Sequence, residues 1–193
     1  MRVIYIYCHP LPESFHAAIR AEALAGLKSA GHEVDLLDLY AEGFNPVLSE
    51  DGRRQYHDTS VNQRGLEPYI ARLQKAEAAV IQFPTWCFGP PAMLKGFFDR
   101  MLMPGVAFDI SDPRHVRPLL KNIRKIAGVV TYGRPRYMIW YMADPPRKLV
   151  TRYIRWLTGG ARAEYHALYH LNTATETARR QFMARVKEAM TRF

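Results

Sequence analysis

Two segments of the chain place polar groups directly after short apolar runs, where they could bind a ligand. The first, Cys8–His16, follows the run Val3–Tyr7 and contains Ser14, which stands where a helix N-cap is expected. The free amides and the positive dipole end of a helix N-terminus suit a phosphate group. Ser14 and the amides of Phe15 and His16 therefore form a candidate phosphate site, and the alternative interpretation of Ser14 is a helix cap alone.

This first segment is not rich in glycine. Neither the dinucleotide pattern G-x-G-x-x-G nor the P-loop pattern G-x-x-x-x-G-K-[ST] occurs anywhere in the chain. The sequence therefore argues against a Rossmann-type dinucleotide site and against a nucleoside-triphosphate site of the P-loop kind.

The second segment, residues 82–100, carries the strongest signal in the chain. Its sequence, QFPTWCFGPPAMLKGFFDR, begins as an apolar run ends and sets Trp86 and Phe88 between Pro84 and Gly89. Aromatic rings at such a turn either pack into the core or form the walls of a flat ligand slot. The residue types alone leave both interpretations open.

The second segment resembles the flavin-binding turn and following helix of the NAD(P)H:quinone oxidoreductases and their flavodoxin-fold relatives. The shared pattern is F-P-x-x-x-F-G-x-P-A-x-L-K-G-x-F-D-R, which is long and specific. The first segment matches the family's H-P-x-x-x-S-F phosphate loop. Three further matches fall at the expected intervals: Asp38-Leu39-Tyr40, Phe44-Asn45-Pro46 and Thr131-Tyr132-Gly133. The resemblance covers residues 1 to about 133 and is weaker beyond.

The resemblance implies a bound flavin, which is FAD if the likeness of the first loop holds and FMN otherwise, with NAD(P)H as co-substrate and a quinone-like acceptor. The phosphates would lie at the start of the first helix, the ring along the turn after Pro84, and residues 131–133 would close the pyrimidine side of the ring. The implied cofactor-binding residues are His9, Ser14, Phe15, His16, Pro84, Thr85, Trp86, Cys87, Phe88, Thr131, Tyr132 and Gly133.

The chemistry of an isoalloxazine ring agrees with this pattern. The ring needs a flat apolar slot and a few backbone donors aimed at its polar edge. Pro84 to Phe88 offers both, and donors placed there stabilise added negative charge without an ionisable catalytic side chain. Lys95, Asp99 and Arg100 are assigned to helix surface and packing.

The resemblance also implies a homodimer. Residues 104–115 match a loop that, in the family, reaches across the two-fold axis to help roof the partner's substrate cavity. Phe108 is the best candidate for that contact, and Trp86 is the second candidate substrate-binding residue.

The sequence departs from the family after Gly133, where mammalian members continue with a glycine-rich run, a tyrosine and a histidine. Tyr137 is the candidate analogue of that tyrosine and the one candidate catalytic residue, but no histidine aligns. His166 and His170 are four apart, which on a helix could form a metal pair. On the strand predicted here they lie roughly 13 Å apart, so no metal site is predicted.

A regular alternation of strands and helices must position these segments. Strands are predicted at Val3–Tyr7, Glu33–Leu39, Ala78–Phe83, Ile123–Thr131 and Arg162–Leu171. Helices are predicted from Ser14 to Gly31, from Leu66 to Ala76, after Pro90 or Pro91, from Lys148 to Leu157 and from Thr175 to Met190. Residues 40–65 are predicted to be irregular, with one short helix.

This order predicts an α/β fold, a three-layer, flavodoxin-like, doubly wound sheet of five parallel strands with helices on both faces. The length of 193 residues predicts one such domain over residues 1–193. Ligands of these sheets bind at the carboxyl ends of the strands, near the reversal of strand order. The site should therefore be built from residues 9–15, 84–89 and 131–137.

The charge favours anionic ligands. The chain has 27 Lys and Arg against 18 Asp and Glu, a net charge of +9, but no long basic block with interleaved aromatics, so nucleic-acid binding is not predicted. A basic cluster near the divergent end could hold the extra phosphate of NADPH, touch an anionic membrane or simply be solvated. Its members are Arg134, Arg136, Arg147, Lys148, Arg152 and Arg155.

Two cysteines, Cys8 and Cys87, are too few for a disulfide-stapled secreted scaffold and lack zinc-site spacing. The apolar region Ala78–Phe98 is interrupted by Gln82 and three prolines, so no transmembrane helix is predicted. A cytoplasmic location is expected.

The leading hypothesis is a flavin-dependent NAD(P)H:quinone oxidoreductase. The alternative is a flavin-binding regulatory subunit of a membrane potassium-efflux transporter, for which the basic cluster would be the docking face. A one-electron flavodoxin fits worst, because such carriers are typically acidic with a Ser/Thr/Gly-rich phosphate loop.

Overall fold

The computed structural model describes residues 1–112 and 114–193. The strands are β1 (Arg2–Tyr7), β2 (Glu33–Asp38), β3 (Ala78–Pro84), β4 (Phe108–Asp109), β5 (Arg117–Pro118), β6 (Lys125–Thr131) and β7 (Arg162–Leu168). Five of them form one parallel sheet in the order β2-β1-β3-β6-β7, and β4 and β5 form a separate antiparallel hairpin.

Helices connect the strands. They are α1 (Phe15–Ser29), α2 (Glu50–Gln55), α3 (Glu67–Lys75), α4 (Ala92–Met101), α5 (Arg136–Tyr141), α6 (Pro145–Lys148), α7 (Arg155–Leu157) and α8 (Glu176–Thr191), with a π-helical segment Leu149–Ile154 and a 3₁₀ segment Leu171–Thr173. No helix in the described part of the chain is long and apolar enough to cross a membrane.

The sheet is covered on both faces because its side chains alternate between two cores. Along β1, Val3 and Tyr5 pack against α1 and α8, whereas Ile4 and Ile6 pack in the core that includes α3, α4 and α5. Strands buried on both sides need apolar residues at every position, which explains the continuous apolar runs in the sequence. The predicted three-layer arrangement is confirmed.

Counted among the sheet strands alone, the order is 2-1-3-4-5, the doubly wound order of flavodoxin-like folds. The order reverses between β1 and β3, so the crevice lies at the carboxyl ends of these strands, beside the end of β6. The predicted fold class is therefore confirmed, and the three segments expected to build the site meet at one edge of the sheet.

The structure differs from the sequence prediction mainly after residue 133. The strand predicted to end at Leu171 ends at Leu168, because His170 adopts a left-handed conformation with φ 59°. The helix predicted at Lys148–Leu157 begins at Pro145 and has a π-helical centre. The helix α5 and the β4–β5 hairpin were not predicted.

Part of the pattern in residues 82–100 serves packing. Gly96 of α4 lies against Pro46, and a Cβ at Gly96 would lie 2.2 Å from the Pro46 carbonyl oxygen. The Arg100 guanidinium donates to the Asn45 carbonyl oxygen over 2.6 Å and lies over the Phe44 ring. The matches at 44–46 and at 96–100 are thus two sides of one contact, which holds α4 in place.

We expect Gly96→Ala to lower the free energy of unfolding by about 3 kcal/mol or more, because the added methyl group meets backbone that cannot move aside. Gly52→Ala is the matched control, since a Cβ on that helix meets only the Leu48 side-chain end and the Ser49 hydroxyl, both at 3.2 Å. Urea denaturation of both variants measures the difference, and equal stabilities would contradict the proposed packing.

Candidate functional site

The start of α1 is built as a phosphate site requires. Ser14 is the N-cap, as predicted, and its hydroxyl accepts a hydrogen bond from the amide of Ala17 at 3.2 Å. The amides of Phe15 and His16 precede the first helical hydrogen bond and have no acceptor among the described residues. Both are donors at the positive end of a helix of 15 residues.

A buried hydroxyl next to this loop lacks a partner. The Tyr7 hydroxyl at the end of β1 has no hydrogen bond to any described residue, although it is shielded from solvent. Burial raises the pKa of Tyr7, and the neighbouring Ser14 hydroxyl opposes that shift. Because an unpaired buried hydroxyl is costly, it fits a site that a ligand oxygen completes.

The segment after β3 forms a tight turn with two exposed donors. Trp86 and Gly89 exchange both backbone hydrogen bonds at 2.9 Å, and the residues between them, Cys87 and Phe88, have φ of 49° and 59°. This is the geometry of a type I′ turn, which usually takes Asn or Gly at these positions. The amides of Cys87 and Phe88 have no acceptor among the described residues, so the turn presents them to a ligand.

A shallow cavity of about 190 Å³ opens against this turn. The side chains and backbone that line it come from three places: the turn itself, the segment after β6, and α5. The lining residues are Thr85, Cys87, Phe88, Gly133, Arg134 and Ile139.

An aromatic wall connects the cavity to the start of α1. The Trp86 ring is 44% exposed and lies edge-on to His9, with ring centroids 6.2 Å apart, and His9 stacks on His16 at 5.5 Å. The exposure of Trp86 argues against its interpretation as a core residue. His9 Nδ1 accepts from the Leu11 amide at 3.1 Å, which leaves the proton on Nε2 as a further donor.

Beneath this wall, a buried polar network joins the three strand ends. Gln82 Nε2 donates to the His16 carbonyl oxygen at 2.7 Å and to His16 Nδ1 at 3.1 Å, and the Gln82 oxygen accepts from the Tyr5 hydroxyl. His16 Nε2 lies 2.7 Å from Thr131 Oγ1. The Thr131 carbonyl oxygen accepts from the Thr85 amide at 2.9 Å and from its hydroxyl at 3.0 Å.

The network fixes the protonation state of His16. Because the Gln82 amide donates to Nδ1, the proton of the neutral ring must be on Nε2, where it points at Thr131. A second proton, on Nδ1, would point at the Gln82 amide group, so two hydrogen-bond donors would face each other in a site shielded from water. Burial, with His9 adding to it, lowers the pKa of His16 to about 3, so the ring is neutral at physiological pH.

Some residues predicted to contact the cofactor lie inside the protein. The His16 and Thr131 side chains are buried in the network, so only the His16 amide faces a ligand. Tyr132 is buried; its ring stacks on Tyr169, and its hydroxyl donates to Asp144 at 2.6 Å. Both of its backbone groups are already hydrogen-bonded, so Tyr132 supports the site from behind.

The structure does not bring Tyr137 or Phe108 to the cavity. Tyr137 is 72% exposed on α5, whose Ile139 faces the cavity instead. Phe108 lies in β4 and packs partly against the core. The loop from 104 to 115 that was matched to the family includes Pro113, which lies outside the described residues.

Sequence analysis missed two groups of the site. Gln82 is the hub of the buried network, and its signal was a single polar residue inside the apolar run of β3. Ile139 lines the cavity from α5, and no sequence signal separated it from its aromatic neighbours.

The sheet order, the phosphate-type helix start and the donor-bearing turn define a flavodoxin-like α/β protein. The model of the flavodoxin-like fold family matches residues 1–192, and the chain belongs to that family. The resemblance seen in the motifs is thereby confirmed.

Two curated relatives come from Rattus norvegicus. NAD(P)H dehydrogenase [quinone] 1 is 30% identical over an alignment of 148 residues that covers 68% of this chain and 54% of the relative. Ribosyldihydronicotinamide dehydrogenase [quinone] is 31% identical over an alignment of 125 residues that covers 56% of this chain and 54% of the relative. The chain thus spans about half the length of these relatives.

Among solved structures, Smu.1420 from Streptococcus mutans UA159 is 26% identical and covers 100% of both chains with a TM-score of 0.88. The NAD(P)H:quinone oxidoreductase from Methanothermobacter marburgensis is 22% identical, covers 99% of this chain and 98% of that chain, and has a TM-score of 0.84. At 22% identity, the likeness to the Methanothermobacter marburgensis structure shows only that the two proteins share a fold.

We expect His16→Gln to reduce the decrease in the free energy of unfolding that the protein shows between pH 7 and pH 5. The unfolded chain binds a proton at His16 below pH 6.5, but the folded protein does not until about pH 3, so stability falls as the pH drops through this window. From pH 7 to pH 5 this histidine should remove about 2 kcal/mol from the free energy of unfolding.

Denaturant unfolding of both proteins at pH 7 and pH 5 measures that difference. His166, whose pKa burial also lowers, remains in both proteins and acts as an internal control. An identical acid loss in the variant would show that His16 is not held neutral by the fold.

Proposed function

We propose that the protein is a flavin-dependent NAD(P)H:quinone oxidoreductase with FAD as its cofactor. The observation that carries this proposal is the pair of free donor sets at one edge of the sheet, at the start of α1 and in the turn after β3, joined by the His9–Trp86 wall. The relatives named as quinone dehydrogenases and the family membership support it.

The phosphates of the cofactor fit the start of α1. The amides of Phe15 and His16 donate to an anion there, the helix dipole favours its charge, and the Tyr7 hydroxyl gains the acceptor it lacks. No acidic side chain lies in the first turn of α1.

The ring fits the turn and its cavity. Pro84 and Thr85 bring the chain to the turn, Trp86 and Phe88 supply apolar surface, and the Cys87 and Phe88 amides place partial positive charge against the ring's polar edge. When bound, the flavin supplies two-electron hydride transfer between NAD(P)H and the acceptor. The protein binds and orients the ring, and it stabilises negative charge at those amides.

The donor and the acceptor use the same open side of the cavity in turn. The cavity is shallow and opens to solvent. A quinone-like acceptor therefore meets the same exposed surface that NAD(P)H has left, which gives a ping-pong order. Tyr137 remains the proposed proton donor, and from its exposed position on α5 it reaches a substrate only when that substrate extends beyond the cavity.

The reducing cytoplasm is the proposed location. Cys8 is buried and Cys87 is exposed, and both are free thiols.

The second candidate is a flavin-binding regulatory subunit of a membrane potassium-efflux transporter. It is favoured by the exposed face of α5, where Tyr137, Tyr141 and Met142 are open to solvent beside Arg134 and Arg136. That role requires stoichiometric, salt-sensitive association with one transporter, whereas the enzyme turns over alone.

We expect the protein to bind flavin and, once loaded, to oxidise NAD(P)H with a quinone as acceptor. Trp86→Ala should raise the dissociation constant for flavin about three- to tenfold, because it removes a stacking surface. Trp156→Ala is the matched control, since this residue is 42% exposed, close to the 44% of Trp86, and lies in α7, outside the turn after β3.

Quenching of flavin fluorescence on titration with apoprotein gives the two constants, and chromatography of the released cofactor separates FAD from FMN. A protein that binds neither flavin would refute the proposal. So would a Trp156 variant that weakens binding as much as the Trp86 variant does.

We propose a homodimer in which Phe108 helps to roof the substrate cavity of the second copy. Phe108→Ala should then raise KM for the quinone about tenfold, because one buried aromatic contact with the quinone is lost. The dissociation constant for flavin should stay unchanged. Sedimentation equilibrium of the wild type should give a dimer. A monomer with full activity, or a Phe108 variant that loses flavin and quinone affinity together, would contradict this arrangement.

A further inference from the structure

A second and larger cavity, of about 440 Å³, lies between α5 and α6. It shares Ile139 with the cavity at the turn, so the two cavities adjoin each other at α5. Its volume falls within the range of small-molecule sites. Its charged and aromatic lining residues are Arg136, Trp140, Asp144, Arg147, Lys148 and Tyr169.

The cavity is positively charged. Arg136 and Lys148 are exposed and form no ion pair with any described residue. Arg147 pairs with Asp144, its Nε lying 3.0 Å from Oδ2, and the other oxygen of Asp144 accepts from the Tyr132 hydroxyl at 2.6 Å. The single acid of the cavity is therefore neutralised, and two cations are left over for an anionic ligand.

The cavity also has a rigid aromatic wall. Tyr169 is held by stacking on Tyr132 at 4.8 Å and by a hydrogen bond from Arg147 Nη2 at 3.1 Å. Trp140 is 80% exposed and offers a face on which a planar base can stack. A flat base with phosphate groups is the chemistry that such a wall and such cations recognise together.

The floor of the cavity is held in an uncommon backbone conformation. Ala143 and Asp144 have φ of 61° and 45°, the left-handed region that side chains other than glycine rarely adopt. Asp144 is nevertheless fixed there because its carboxylate caps α6 through the Arg147 amide at 3.3 Å. Strain that is maintained by surrounding contacts is typical of binding sites.

We propose that this cavity binds the 2′-phosphoadenosine half of NADPH, so that the protein uses NADPH in preference to NADH. The inference rests on the proposed function, which brings a nicotinamide to the neighbouring cavity that shares Ile139. The adenine stacks on Trp140, and Arg136 and Lys148 bind the 2′-phosphate. NADH lacks the 2′-phosphate that these two cations would bind.

The shape favours a nucleotide over a membrane surface. Basic side chains that bind anionic lipid lie on an open surface, whereas Arg136 and Lys148 line a concavity with an aromatic wall and an internal ion pair. Lipid headgroups would contact Arg136 and Lys148 only when no nucleotide occupies the cavity.

Calorimetry with adenosine 2′,5′-bisphosphate tests the site without flavin. It should bind at least about tenfold more tightly than adenosine 5′-diphosphate, and Arg136→Ala and Lys148→Ala should each weaken it about tenfold, the usual effect of losing one charged contact to phosphate. Arg152→Ala is the matched control, an exposed arginine nearby that does not line the cavity, and should leave binding unchanged.

Steady-state kinetics completes the test. The Arg136 and Lys148 variants should raise KM for NADPH about tenfold and leave KM for NADH and kcat unchanged. Equal binding of the two nucleotides, equal effects of all three variants, or association only with phosphatidylserine vesicles would overturn the proposal. Binding of the bisphosphate by a protein that oxidises neither coenzyme would support the nucleotide site and refute the redox function, so the two failures are distinguishable.

Discussion

The site depends on one buried polar network. Gln82 lies near the end of β3, His16 at the start of α1 and Thr131 at the end of β6. All three side chains are buried, so a polar group left without a hydrogen bond there would be costly. Their hydrogen bonds therefore set the start of α1 and the turn after β3 at a fixed distance from the end of β6. The phosphate-type donors and the ring-type donors are positioned by the same set of bonds, so a ligand that spans both meets a site already in its binding geometry.

Above the network, the chain holds several groups in states that are costly without a ligand. Cys87 and Phe88 lie in the left-handed region, their amides lack acceptors among the described residues, and the Tyr7 hydroxyl is buried without one. The left-handed conformations and the unpaired buried hydroxyl cost free energy in the isolated protein, whereas the exposed amides are solvated. They occur together at the crevice of a doubly wound sheet, where such folds bind ligands, which is why we interpret them as one binding site.

The sheet and the location of the site could be predicted from the sequence, because buried parallel strands need continuous apolar runs and a helix start needs a cap. Tyr132 shows the limit: its position next to Gly133 suggested a ligand contact, but strand alternation turns its ring inward against Tyr169. Helix α5 was missed because half of its six residues are exposed aromatics, which as a type favour strands, and short helices depend on tertiary contacts. Gln82 was visible in the sequence, but its partners lie 66 residues or more away.

A crystal structure of the protein soaked with FAD tests the central claim most directly. The account predicts a flat ring lying against the turn at Trp86–Phe88, within hydrogen-bond distance of the Cys87 or Phe88 amide, with its phosphates at the amides of Phe15 and His16. The buried bonds of His16 should be unchanged. A flavin bound elsewhere, or a groove that side chains of the protein fill, would contradict it.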